Sequence, residues 1–189
     1  MHRIIELDHQ IFSIINGAQL PPWLDTICTL WRNELFWIPV YVFIISVFIF
    51  NFRSKFYFFV VACLLTVATS DLTSSRLIKN SVKRSRPCNT ELAGLVERVP
   101  CGSGYSFTSS HATNHFALST FLFFLFGRYL KRHRWWLLVW AASIVIAQIY
   151  VGKHYPLDVM VGATLGCLIG WMWSWIFQRA NQVFGWVDY

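Results

Sequence analysis

Five stretches without a single charged side chain, 35–52, 56–70, 112–127, 135–152 and 159–178, set the limits on what this chain can fold into. A bilayer's hydrocarbon core is about 30 Å thick and a helix rises about 1.5 Å per residue, so about 17 to 25 apolar residues make a span. Three of the stretches meet that alone, while 56–70 and 112–127 must borrow the flanking Asp71-Leu72 or Leu130. Only 13% of the chain is charged and the mean hydropathy is +0.47, against about 25% charged in a soluble domain. These observations predict an all-α fold, a polytopic membrane helical bundle of about five transmembrane helices. No repeat or long linker divides the chain, so residues 1–189 are expected to form one integral-membrane domain, an interfacial segment at 1–34 and the bundle at 35–178.

The first 34 residues do not read as a signal peptide, because Glu6, Asp8, His9 and Asn16 interrupt the apolar run. Ile4, Ile5, Ile11, Phe12, Ile14 and Ile15 form a band suited to an interfacial helix, broken by Pro21-Pro22. A tilted sixth span is the alternative, and Pro21, Pro22 and Asp25 count against it.

Five spans place the 78–113 and 151–158 connections on one side of the membrane. Opposite lie Arg53, Lys55, Arg128, Lys131, Arg132, Arg134 and Arg179. If Lys79, Lys83, Arg84 and Arg86 serve as anion ligands, the basic 128–134 loop is the denser cytoplasmic candidate under the positive-inside rule. The expected location is therefore a bacterial inner membrane, multi-pass, with the site facing the periplasm or exterior. The net charge of +7 has these same sources, so no nucleic-acid partner is needed to explain it. Trp135, Trp136, Trp171, Trp173, Trp175 and Trp186 are interface anchors or packing residues. Cys88 and Cys101 bracket a polar loop on the outward side, where an oxidising compartment favours a disulfide; two unpaired thiols are the alternative.

Three polar clusters end or follow the apolar runs: Lys79-x6-Arg86-Pro87, Thr108-Ser109-Ser110-His111 and His154-x3-Asp158. Ionisable groups are costly in a bilayer unless they line a wet site. If the second spanning helix continues through Ser85, then Lys79, Lys83 and Arg86 share one face; the alternative is a snorkelling basic collar. Thr108-Ser109-Ser110 precede an apolar helix, whose free amides and positive dipole end suit an anion, although a simple N-cap fits as well. The spacing of His154 and Asp158 lets a carboxylate accept from one imidazole nitrogen and leaves the other free to attack. Metal ligation through His111, His115, His154 and Asp158 is a competing reading, disfavoured by the surrounding cations; no metal or other cofactor is expected.

Taken together, these residues resemble the three-part signature of the type 2 phosphatidic acid phosphatase superfamily over 79–158. The resemblance implies a helical bundle that dephosphorylates lipid phosphates without a metal. It implies His154 as the nucleophile that forms a phosphohistidine, Asp158 as its orienter and His111 as the acid on the leaving oxygen. Lys79 and Arg86 would clamp the phosphate, with Ser109 and the amide of Ser110 completing the cradle. Two positions depart from the family pattern. Thr108 and Ser110 replace a proline and a glycine, and Ala147-Gln148 replace a Ser-Arg pair six residues before the histidine. Gln148 thus sits at a phosphate-binding position with no charge, and Lys153 or Lys83 is a candidate to compensate.

The expected reaction is dephosphorylation of a lipid phosphate or diphosphate, with undecaprenyl diphosphate slightly favoured over phosphatidylglycerol phosphate, phosphatidic acid or a lipid A phosphate. A lipid phosphotransferase and a non-enzymatic lipid-phosphate binder are the alternatives. The expected partners are that substrate and membrane lipids, with no obligate protein partner.

Overall fold

The structure is a computed structural model, described for residues 2–52, 56–90 and 94–184, and among those residues helices are the one kind of regular secondary structure. Arg53, Lys55 and Trp186 lie outside the described residues. In chain order the helices are α1 (His2–Asn16), α2 (Pro22–Trp31), α3 (Glu34–Phe52), α4 (Phe56–Asp71), α5 (Lys79–Val82), α6 (Ser110–Leu125), α7 (Gly127–Leu130), α8 (Trp135–Tyr150) and α9 (Pro156–Phe184). A π-helical segment, Leu72–Ile78, joins α4 to α5 without a break.

All five apolar stretches are helices. Two segments, Tyr57–Asn89 and Pro156–Phe184, are long and apolar enough to cross a membrane alone. The other three, α3, α6 and α8, have 19, 16 and 16 residues. Large side chains such as Phe43, Leu64, Leu168 and Trp175 are exposed on the outside of the bundle, a surface suited to lipid and not to water. Trp135, Trp136, Trp171 and Trp175 are exposed too, whereas Trp173 packs inward and donates to Thr69.

The centre is built on α6 and α9. Gly162, Gly166 and Gly170 recur every fourth residue, so they line one face of α9. A Cβ at Gly162 would stand 2.8 Å from the carbonyl of Ser109, and one at Gly166 or Gly170 would collide with the backbone of Thr113 or Ala117. Backbone contact of this closeness needs residues without side chains. It brings the start of α6, with His111, beside the start of α9, with Asp158. Phe12, Ala112, Val145, Ile149, Tyr155 and Val159 form the apolar core just beneath that junction. Ala62, Phe121, Leu125 and Phe177 form a second cluster toward the far end.

α1 turns Asp8, Phe12 and Asn16 inward, four residues apart, and leaves Ile4, Ile5, Leu7, Ile11 and Ile14 exposed. Phe12, expected in the outward apolar band, packs against Tyr155 at 5.3 Å between ring centroids. The second spanning helix stops sooner than expected. It ends at Val82, where Lys83 takes a left-handed conformation with φ of 53°, and the chain is extended at Arg86. Lys79, Lys83 and Arg86 therefore do not share a helix face. The residue before Pro87 is disfavoured in helix, and here the break falls one turn earlier, at Lys83.

Candidate active site

Pro156 opens α9, a position where its missing N–H costs nothing, and the Val151–Tyr155 turn before it carries His154 into the interior, 2% exposed. Its Nε2 faces Arg86 Nη1 at 3.5 Å. Its Nδ1 faces Ser106 Oγ at 3.4 Å and Asp158 Oδ2 at 3.8 Å. The carboxylate is thus beyond direct hydrogen-bond reach, contrary to the expected imidazole–carboxylate bond. Ser106 stands between them and donates to Asp158 at 2.5 Å. Burial pushes the His154 imidazole down to about 4 despite the opposing pull of Asp158, so the ring is neutral at pH 7 and Nε2 keeps a free lone pair.

Asp158 is fully buried and its oxygens are shared out. Oδ2 also accepts from the Tyr155 amide at 2.9 Å, and Oδ1 accepts from Arg84 Nη1 at 2.7 Å. The other arm of Arg84 donates to Asp8 Oδ2 at 2.5 Å, while Asp8 Oδ1 accepts from the Leu157 amide at 2.7 Å. Arg84 also lies over the Tyr155 ring, 4.0 Å from its centroid. It is a structural clamp on the carboxylate and not a free anion ligand, which corrects the role expected from its place among the basic residues. Asp8 and Ser106 were missed as functional residues, and Arg84 was given an anion in place of its two carboxylates. One signal was available: a buried carboxylate needs a buried cation, and Arg84 lies two residues before Arg86.

Lys79 and Arg86 reach the same space from opposite sides of the Lys83 turn. Lys79 senses the charges of Arg86, Asp71 and Asp158 and acts on both His111 and His154. Arg86 is anchored by the carbonyls of Gly104, Ser103 and Lys153 at 3.2, 3.4 and 3.3 Å. Lys153 is buried at 8% exposure, donates to the Pro100 carbonyl and borders Gly102 together with Arg86. Burial lowers the Lys153 ammonium from its ordinary value, and Arg32 and Arg86 act in the same direction. Lys83 is exposed, whereas Lys153 is buried beside Arg86.

Ser109 is the N-cap of α6, its Oγ accepting weakly from Ala112 N at 3.4 Å. Ser110 Oγ points away from the histidines to Ser74 and Ser75 at 3.0 and 2.8 Å. Of Ser110, the amide is left for the cradle, as a first-turn N–H without an intrahelical acceptor, and the Ser109 hydroxyl, which accepts from Ala112, keeps its O–H to donate. Thr108 joins the same hydroxyl group through Ser74 at 3.1 Å. The π-helical segment thus locks the start of α6 in place. His111 opens α6 within electrostatic reach of His154, Lys79 and Arg32. His115, one turn on, packs edgewise against Trp140. Gln148 is buried and its Nε2 has no hydrogen-bond partner. Cys88 and Cys101 are joined by a disulfide, which ties Pro87 to the Gly102–Tyr105 turn that Arg86 grips.

A buried neutral imidazole facing an arginine, with lysines around it and helix-start amides nearby, is equipped to hold a phosphate and attack it. The model of the PAP2 superfamily matches residues 56–182. The chain belongs to the PAP2 superfamily. It is 34% identical over 182 residues to a lipid A 4'-phosphatase of Bacteroides thetaiotaomicron, covering 92% of this chain and 78% of that one. It is 28% identical over 174 residues to a lipid A 4'-phosphatase of Porphyromonas gingivalis, covering 90% and 72%. The crystal structure of a transmembrane PAP2-type phosphatidylglycerolphosphate phosphatase from Bacillus subtilis superposes with a TM-score of 0.72 at 21% identity, covering 97% of this chain and 89% of that one. That last likeness bears on the fold alone. With these relatives, this PAP2 enzyme is a membrane lipid phosphatase.

Proposed function

We propose that this PAP2 enzyme removes the 4'-phosphate of a lipid A-type glycolipid at the outer face of the cytoplasmic membrane. The observation that carries the substrate is the identity to a lipid A 4'-phosphatase along nearly the whole chain. It shifts the preference from undecaprenyl diphosphate to a sugar-borne monoester. Support for the outward face comes from two features. The basic 128–134 loop lies beyond the far end of α6 from His111, about 24 Å away for 16 residues, and the disulfide borders the site.

In the first step the His154 Nε2 lone pair attacks phosphorus, and the bond from phosphorus to the sugar oxygen breaks. His111, holding a proton once the phosphate dianion offsets the cations around it, gives that proton to the oxygen as it leaves. Arg86, Lys79, Lys153 and the Ser110 amide hold the three remaining phosphoryl oxygens, whose charge they match more closely in the transition state. Asp158 acts on the other side of the ring through Ser106, fixing its orientation. In the second step His111 takes a proton from water, the water oxygen attacks phosphorus, and the phosphorus–nitrogen bond breaks to release phosphate and restore His154.

The test is a panel of purified lipids in detergent: lipid A bisphosphate, undecaprenyl diphosphate, phosphatidylglycerol phosphate and phosphatidic acid, each in excess chelator. Mass spectrometry should show lipid A losing one phosphate, from the 4' position, fastest. Faster release from undecaprenyl diphosphate would overturn the substrate. Phosphate reappearing on a second lipid would identify a transferase. Vanadate binding without turnover of any lipid would identify a binder.

A further inference from the structure

The phosphate site lacks the cation that the family pattern places at position 148, and elsewhere in the chain a half-buried arginine has a buried Nε donor with no partner among the described residues. Gln148 is 1% exposed with an unpartnered Nε2. Arg32 caps the end of α2, its amide donating to the Cys28 carbonyl at 3.3 Å and the next amide, of Asn33, to Leu30 at 2.9 Å. Beside it, Trp31 donates to Ser143 at 2.8 Å on α8, the helix that carries Gln148. Trp31 packs on Trp37 at 4.6 Å, Trp37 on Trp140 at 5.3 Å and Trp140 on His115 at 5.1 Å, so the end of α2 meets the side of α8 that His115 meets, one turn from His111. The Arg32 Nε is buried without a hydrogen-bond partner among the described residues. Buried donors without an acceptor are rare and each requires an explanation.

Proximity supplies one. The Arg32 charge acts on Arg86, Lys153 and His111, which come from three separate segments and share only the phosphate site. Burial and the Arg86 charge both lower Arg32 from its ordinary value, with Glu34 opposing. The guanidinium is therefore held next to like charge with an open donor, an arrangement that an arriving phosphate dianion would relieve.

We infer that Arg32 is a phosphate-binding residue of this enzyme, supplying from α2 the charge that position 148 lacks. The inference rests on the phosphatase reading above. It makes the segment before the superfamily match part of the active site, since residue 32 precedes the matched 56–182.

The test compares wild type, Arg32→Gln, Arg32→Lys and the exchange Arg32→Gln with Gln148→Arg. The readouts are vanadate inhibition, KM and kcat on the lipid substrate, and the rise in Tm that vanadate causes. Arg32→Gln should weaken vanadate inhibition tenfold or more, about the size of one lost charge-assisted hydrogen bond. Its vanadate-induced Tm rise should shrink while its own Tm stays close to wild type. Arg32→Lys should fall between, because an ammonium cannot donate in a fork, and the exchange should regain part of the loss. Wild-type vanadate inhibition and KM in Arg32→Gln would overturn the inference. If Arg32→Gln does not fold, unchanged vanadate inhibition in Arg32→Lys overturns it equally. If wild type itself does not respond to vanadate, the phosphatase reading fails and the inference falls with it; a responding wild type isolates the question to Arg32.

Discussion

Asp8 and Asp158 share the guanidinium of Arg84, one carboxylate on each arm at 2.5 and 2.7 Å. Both side chains are nearly free of solvent, at 3% and 0% exposure. Removing the cation would strand two buried charges, so Arg84→Gln should cost about 3–5 kcal/mol of stability. Asp8→Asn leaves Arg84 one carboxylate and should cost less. Asp8→Asn should also lower kcat more than it raises KM, because Asp8 positions Asp158 and does not touch substrate. Thermal unfolding in detergent, paired with steady-state kinetics, checks both the order and the split.

The depressed His154 imidazole predicts an acid limb. Activity should fall as pH drops through about 4, when the nucleophile takes up a proton. Stability follows the same group in a wider window. Unfolded histidine titrates near about 6.5, so between about 4 and 6.5 the unfolded chain binds the extra proton and stability rises with pH. The contribution is fully present above that window and is lost on acidification through it. A pH series of Tm values for wild type and His154→Gln should differ in slope there, with the flatter curve in the variant.

Gly166 admits no side chain against the Thr113 backbone. Gly166→Leu should force α6 and α9 apart and abolish folding yield, since overpacking alone costs about 1–3 kcal/mol. Thr164→Leu, on an exposed face of the same helix, should be neutral. Expression followed by size-exclusion chromatography distinguishes the two.

The Cys88–Cys101 disulfide closes a loop with a sequence separation of 13, which the chain-entropy model values at about 3 kcal/mol. Cys88→Ser should lower Tm, and reductant should lower wild type to the same value while leaving Cys88→Ser unchanged.

The helices were legible because apolar runs free of charge admit few other structures, and Lys79, Arg86, His111, His154 and Asp158 stood out as polar residues at their ends. What escaped was set by long-range packing. Arg84 looked like one more basic residue because its partners, Asp8 and Asp158, are brought to it only by α1 and α9 folding back. Ser106 looked like loop filler, and its place between His154 and Asp158 depends on a turn that the sequence does not specify. The helix face expected for Lys79, Lys83 and Arg86 failed for a local reason, since Lys83 adopts a left-handed conformation that the sequence favours only for glycine or asparagine. The glycine repeat of α9 was present in plain view, but its meaning requires knowing that α6 is the neighbour.

The π-helical Leu72–Ile78 segment works as a phase adjuster. An ordinary helix advances about 100° per residue and the wider π turn advances less, so relaxing Leu72–Ile78 into ordinary geometry at its full length would rotate everything beyond it. Ser74 and Ser75 could no longer both meet Ser110, and the Lys79 stem would swing to another side of the rod. The stretch between Ser70 and Lys79 is thus an angular setting as much as a length.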